Sequence, residues 1–184
     1  MLPPWVACTP DEVHECDQVS GRRIAHGFGG QRELGVVSTM AWLLLGEVAP
    51  VTWRVCDTSR EAARAESWLA LCIAAGQSMP TPDDWHRLGA EPLPAQQTGR
   101  EFAYGVWRTL AWLMGVREDW PVYTSWHRAA GMPRPDPHLD IPVDQRDSAR
   151  WRAANAAAWE RDEADAIRHW RHVRRLADTS ADRS

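Results

Sequence analysis

An all-α fold follows from three observations on this chain of 184 residues. Helix-start signals recur along it, its apolar runs keep a helical rather than an alternating period, and a segment of about seventy residues occurs twice. Thr9-Pro10-Asp11-Glu12-Val13-His14 is matched 72 positions on by Thr81-Pro82-Asp83-Asp84-Trp85-His86. Arg32-Glu33-Leu34 is matched at 68 by Arg100-Glu101-Phe102. Gly35-Val36, Thr39 and Ala41-Trp42-Leu43 are matched at 70 by Gly105-Val106, Thr109 and Ala111-Trp112-Leu113. Pro50-Val51 returns as Pro121-Val122, and Trp53 as Trp126. Five matches in one order, with drifting offsets, read as a tandem duplication carrying small insertions. Residues 1–177 then form one all-α domain, with repeat 1 near 9–80 and repeat 2 from 81.

In chain order, Thr9 is an N-cap followed by Pro at the first helical position and acids facing the macrodipole, and Thr81 repeats the device. Gly30 is the cap of the next helix, about 32–45, which is apolar on nearly every face and stops at Gly46. Its counterpart, about 100–114, opens with the capping-box pattern Thr98-Gly99-Arg100-Glu101 and stops at Gly115. These two helices are the expected core, close together where Gly35/Thr39 and Gly105/Thr109 share a face. The segments 50–56 and 121–126 are expected to be extended. Thr58-x-x-Glu61 opens a further helix to Gly76, with Ala62, Ala65, Leu69 and Cys72 as its stripe. Pro133, Pro135, Pro137 and Pro142 make 131–143 a Pro-rich loop. A long C-terminal helix is predicted over 144–176, then a flexible tail over 178–184.

Composition narrows the function classes. Hydrophobic residues at 44% and charged residues at 25% suit a globular chain, and a net charge of −4 excludes a strongly basic nucleic-acid coat. The Met1-Leu2-Pro3-Pro4-Trp5 start carries no signal-peptide pattern, and no apolar run is long enough to span a bilayer. Four cysteines are too sparse for a disulfide scaffold, so a reducing, cytoplasmic setting is expected.

No constellation for catalysis emerges. Cys8, His14 and Cys16 are close in sequence, but the spacing matches no common zinc pattern, and on a helix His14 and Cys16 point some 200° apart. His26-Gly27-Phe28-Gly29-Gly30 precedes a helix as a phosphate loop does, without the Lys-Ser/Thr that would complete one. Glu12/Glu15 and Glu160/Glu163 lack the Glu-x-x-His of a di-iron bundle. Catalytic residues, metal and cofactor are therefore all expected to be none.

The 12 tryptophans, against two Phe and two Tyr, are the most informative residues. The duplicated pairs Trp42/Trp112 and Trp53/Trp126 are assigned to architecture. Among the others, Trp85, Trp120 and Trp170 are candidates for contact surface, because large rigid indoles dominate protein–protein hot spots. The C-terminal helix adds Arg168, Arg171, His172 and Arg175 on one face, with Ala166, Trp170 and Val173 opposite. The sequence therefore predicts a non-enzymatic adaptor or regulator that binds a protein partner or itself through Trp-rich surface and the C-terminal helix, without a membrane. Nucleic-acid binding on the Arg stripe is the alternative, and a metal or acid–base enzyme stands third.

Overall fold

Two buried helices, α2 (Gln31–Leu45) and α5 (Arg100–Leu113), pack face to face at the centre of the molecule. α1 (Pro10–Ala25) packs on α2, and α3 (Arg60–Ala74) on the far side of α5. The short α4 (Pro82–Leu88) sits on α3, and the long α6 (Gln145–Ala181) lies against α3 and α5. This computed structural model describes residues 2–27, 29–89, 91–122 and 145–181, and every regular element among them is a helix. The Pro-rich loop expected at 131–143, Trp126 and residues 182–184 lie outside the described residues. No helix among the described residues is long and apolar enough to cross a membrane.

The central contact depends on two glycines. A Cβ on Gly35 would collide with the carbonyl oxygen of Phe102, and one on Gly105 with that of Arg32. Arg32 and Phe102 each lie three residues before the glycine of their own helix, so the two contacts are reciprocal. Thr39 Oγ1 donates to the Gly35 carbonyl at 2.8 Å, and Thr109 Oγ1 to the Gly105 carbonyl at 2.8 Å. Each buried hydroxyl is thus satisfied within its own helix, and the helices meet backbone to backbone. Val36, Met40, Trp42, Val106, Leu110 and Leu113 fill the space around them and are fully buried.

Capping explains most of the helix starts. Thr9 and Thr81 both form reciprocal boxes, with Glu12 and Asp84 returning to the cap backbone N–H at 2.9 and 2.8 Å. At Gly30 only the return half exists, from its N–H to Glu33 at 2.9 Å. Two expected boxes do not form. Ser59, not Thr58, caps α3, and the Thr58 carbonyl instead accepts from Trp5 Nε1 at 2.7 Å. α5 begins one residue later than its Thr98 box requires, on Gly99, whose N–H donates to the Gln97 side chain. Gly46, Gly76 and Gly115 close α2, α3 and α5 in the left-handed conformation that favours glycine.

Two further expectations are corrected. The segment expected to be extended over 50–56 is curled into a tight turn over 49–54, where the Trp53 N–H donates to the Ala49 carbonyl and the Ala49 N–H to the Arg54 carbonyl. The turn is held by the buried Glu66 of α3, which accepts from Val51 N–H at 2.7 Å and Thr52 Oγ1 at 2.5 Å. Within it Trp53 takes φ 55° and is 57% exposed, so this duplicated indole is not core. α6 also runs on to Ala181, through part of the expected tail, because no Gly or Pro after Leu176 stops it.

Candidate functional site

Between α3, α4, α5 and α6 lies a cleft of about 370 Å³. The capped start of α3 brings Arg60, Arg64 and Trp68 to one side of it, since i, i+4 and i+8 share a helical face. The end of α5 supplies Trp107, Ala111 and Met114, and α6 closes the cleft with His169 and Val173. Arg87 and Asp84 enter from α4. The walls are therefore mostly aromatic and aliphatic, with guanidinium groups among them, in the size range of small-ligand and anchor-residue pockets.

The charges around the cleft are unevenly matched. Asp84 is buried, and Arg174 Nη1 lies 2.6 and 2.7 Å from its two oxygens, with Arg87 at 4.0 Å. Burial pushes the Asp84 carboxyl up, but the Thr81 donors and Arg174 outweigh it and hold the group below the usual carboxylate range. Arg60 and Arg64 are exposed and have no ion-pair partner among the described residues. His169 stacks near Trp107, ring centres 5.1 Å apart, and its pKa is lowered by burial and then by the Arg117 guanidinium. The imidazole is therefore mainly neutral at pH 7.

The wall formed by α6 is fixed by a polar network on its body-facing side. Arg32 of α2 meets Asp162 at 2.5 Å, and Arg100 of α5 pairs with Glu163. Arg117 reaches Asp165 at 2.9 Å, while Tyr104 donates to Asp162 or Asp165, each at 3.3 Å. Together with Asp84–Arg174, these pairs tie one face of α6 to α2, α4 and α5. Ala166 is fully buried beneath the helix, with Trp170 and Val173 half-buried beside it.

The residues singled out from the sequence are not gathered into one site. Arg168, Arg171, His172 and Arg175 are exposed on α6, turned away from the apolar side that docks. Trp170 packs on the core under the Arg174 guanidinium, which lies 5.9 Å from its ring centre. Trp120 is half-buried, its carbonyl accepting from Arg108 Nη2 at 2.9 Å. Trp85 is only 4% exposed, so it is core rather than contact surface; the docking of α4 on α3 covers it. Trp68, Trp107, Arg60, Arg64 and Arg87, which line the cleft, were not singled out as site residues. The row Arg60-x3-Arg64-x3-Trp68 was a readable signal on α3; the arrival of Trp107 and Arg87 beside it was not.

The remaining candidates resolve into structural roles. The N–H of Gly30 is occupied by Glu33, which itself lies 3.7 Å from the buried Arg23 and 3.5 Å from Arg32. A carboxylate from the chain therefore already faces the helix start after the glycine-rich segment. Glu12 is engaged in capping and Glu163 in its pair with Arg100. Among the described residues, no three His, Cys, Asp or Glu side chains come together to hold a metal ion. The four cysteines are free, and burial raises the pKa of each, Cys8 to about 11 and Cys72 to about 12, which leaves little thiolate at neutral pH. No family model, curated protein or solved structure matches the chain.

Proposed function

We propose that the protein is a non-enzymatic interaction protein that engages a protein partner, or a second copy of itself, by accepting an apolar anchor in the cleft beneath α6. The observation that carries this reading is a cleft of about 370 Å³ walled by Trp68, Trp107, Met114 and Val173. Desolvated aromatic pockets of this kind are where interfaces concentrate their binding energy. Among the described residues, the carboxylate that lines the cleft is Asp84, and its pairing with Arg174 supports binding over acid–base chemistry. The C-terminal helix belongs to the recognition surface as a wall of the cleft. Four free cysteines support a cytoplasmic setting.

A photo-crosslinking residue at Val116, on the exposed cleft rim, tests the reading in the native host. The expected result is one discrete adduct, of heterologous or doubled mass, that disappears when Met114→Trp fills the cleft. An adduct insensitive to that filling contradicts the proposal.

We propose also that the chain is a tandem repeat sharing one core, a reading supported by the reciprocal Gly35–Phe102 and Gly105–Arg32 contacts. A second functional reading is favoured by the exposure of Arg168, Arg171 and Arg175, which suits nucleic-acid backbone. Under it, replacing all three by Ala lowers the magnitude of the log–log salt slope of binding by roughly 2–3 units. Absence of any such binding in the unaltered protein removes it.

A further inference from the structure

We infer that the group accepted by the cleft is an amphipathic organic anion, an apolar ring or short chain carrying a carboxylate or phosphate. This inference rests on the reading of the cleft as the recognition site. Arg60 and Arg64 lie one helical turn apart on α3 with Trp68 a turn further, and all three line the cleft. Both arginines lack an ion-pair partner among the described residues. Arg60 is moreover the first residue of α3, where the helix dipole disfavours a cation and favours an anion.

The third guanidinium, Arg87, faces the same space from α4. Asp84, held by Arg174 and approached by Arg87 at 4.0 Å, is shared between those two guanidinium groups and leaves Arg60 and Arg64 without a counter-charge among the described residues. Elsewhere the walls offer Leu71, Trp107, Met114 and Val173, which suit an apolar body and nothing charged. In a chain of net charge −4, the two guanidinium groups of Arg60 and Arg64, without an ion-pair partner among the described residues, are a local inversion of sign beside an aromatic pocket. The complementary ligand carries its negative group at the start of α3 and its apolar part toward Trp107. A free organic acid and an acidic segment of a protein partner both present this chemistry.

Calorimetric titration of the full chain with 2-naphthoate and its neutral isostere 2-naphthamide tests the inference. A second arm uses the capped peptide Asp-Glu-Leu-Trp-Asp-Glu and its Asn-Gln-Leu-Trp-Asn-Gln counterpart. The acid form is expected to bind about tenfold more tightly than its neutral form, as charge-assisted pairing provides. That preference should vanish in Arg60→Gln/Arg64→Gln, whose exposed side chains make no hydrogen bond or ion pair among the described residues, with helicity checked by circular dichroism. Tighter binding of the peptide assigns the anion to a protein segment, and tighter binding of naphthoate assigns it to a small acid; either supports the inference. Equal affinity for charged and neutral forms, both blocked by Met114→Trp, overturns the inference while leaving the cleft reading in place. Binding of either acid undiminished by Met114→Trp, or no binding of any probe, overturns the inference as well, and the crosslinking result then judges the cleft reading separately.

Discussion

Single residues carry two of the firmest expectations. Glu66 is 1% exposed, and its carboxylate accepts from both Val51 N–H and Thr52 Oγ1. Burial raises its pKa, with these hydrogen bonds working against the rise. Removing the acceptor strands two buried donors, at roughly 1–3 kcal/mol each, and frees the turn that keeps Trp53 at positive φ. Glu66→Ala should therefore lose about 3 kcal/mol in denaturant unfolding; a loss within the ordinary surface range of about 0.5 kcal/mol contradicts the clamp. Asp84 gives a pH dependence whose sign follows from its lowered pKa. Its pairing contributes fully above the unfolded carboxylate value of about 4 and is lost as pH falls through the lower folded value. The stability gap between the parent and Asp84→Asn should thus be widest near neutrality and narrow below about pH 4. A gap independent of pH would contradict a stabilising role for the ionised carboxylate.

Among the elements, the α2–α5 contact is the one most legible in the sequence. The spacing Gly35-x3-Thr39 and its copy Gly105-x3-Thr109 announce small faces on apolar helices, and the structure joins those faces with both carbonyl contacts reciprocal. Because both glycines hold one interhelical distance, their substitutions should not add. Gly35→Ala or Gly105→Ala alone is expected to cost about 1–3 kcal/mol or more, as backbones are forced apart. The double variant should cost clearly less than the sum, since the helices have already separated. Additive costs in a double-mutant cycle would place the two contacts in independent sites. Other boundaries were less readable. Thr58 and Thr98 each sit in a good capping pattern, yet the helix starts at the next residue, because local patterns do not register competition from Trp5 or Gln97. The turn at 49–54 was unreadable for a different reason: its stabilising partner, Glu66, lies on another helix.

For the molecule as a whole, the sequence conveyed helices and core better than it conveyed the site. Apolar periodicity marks Trp42 and Trp112 as interior, and both are buried. The tryptophan count, by contrast, says that some rings are available without saying which. Trp85 is buried by the packing of α4, Trp53 is lifted outward by the Glu66-held turn, and Trp68 and Trp107 come to line one cleft only when α3 and α5 pack. The outward arginines of α6 were read from their shared face, whereas the pairs anchoring its inner face join residues up to 130 positions apart. The account therefore turns on the cleft that this long-range packing creates. Its most direct test is backbone hydrogen exchange of the full chain, with and without the partner captured through the rim crosslinker site. The predicted result is slowed exchange at the start of α3, the end of α5 and the stretch of α6 around His169 and Val173. Protection confined to other surfaces, with these three segments unchanged, would contradict it.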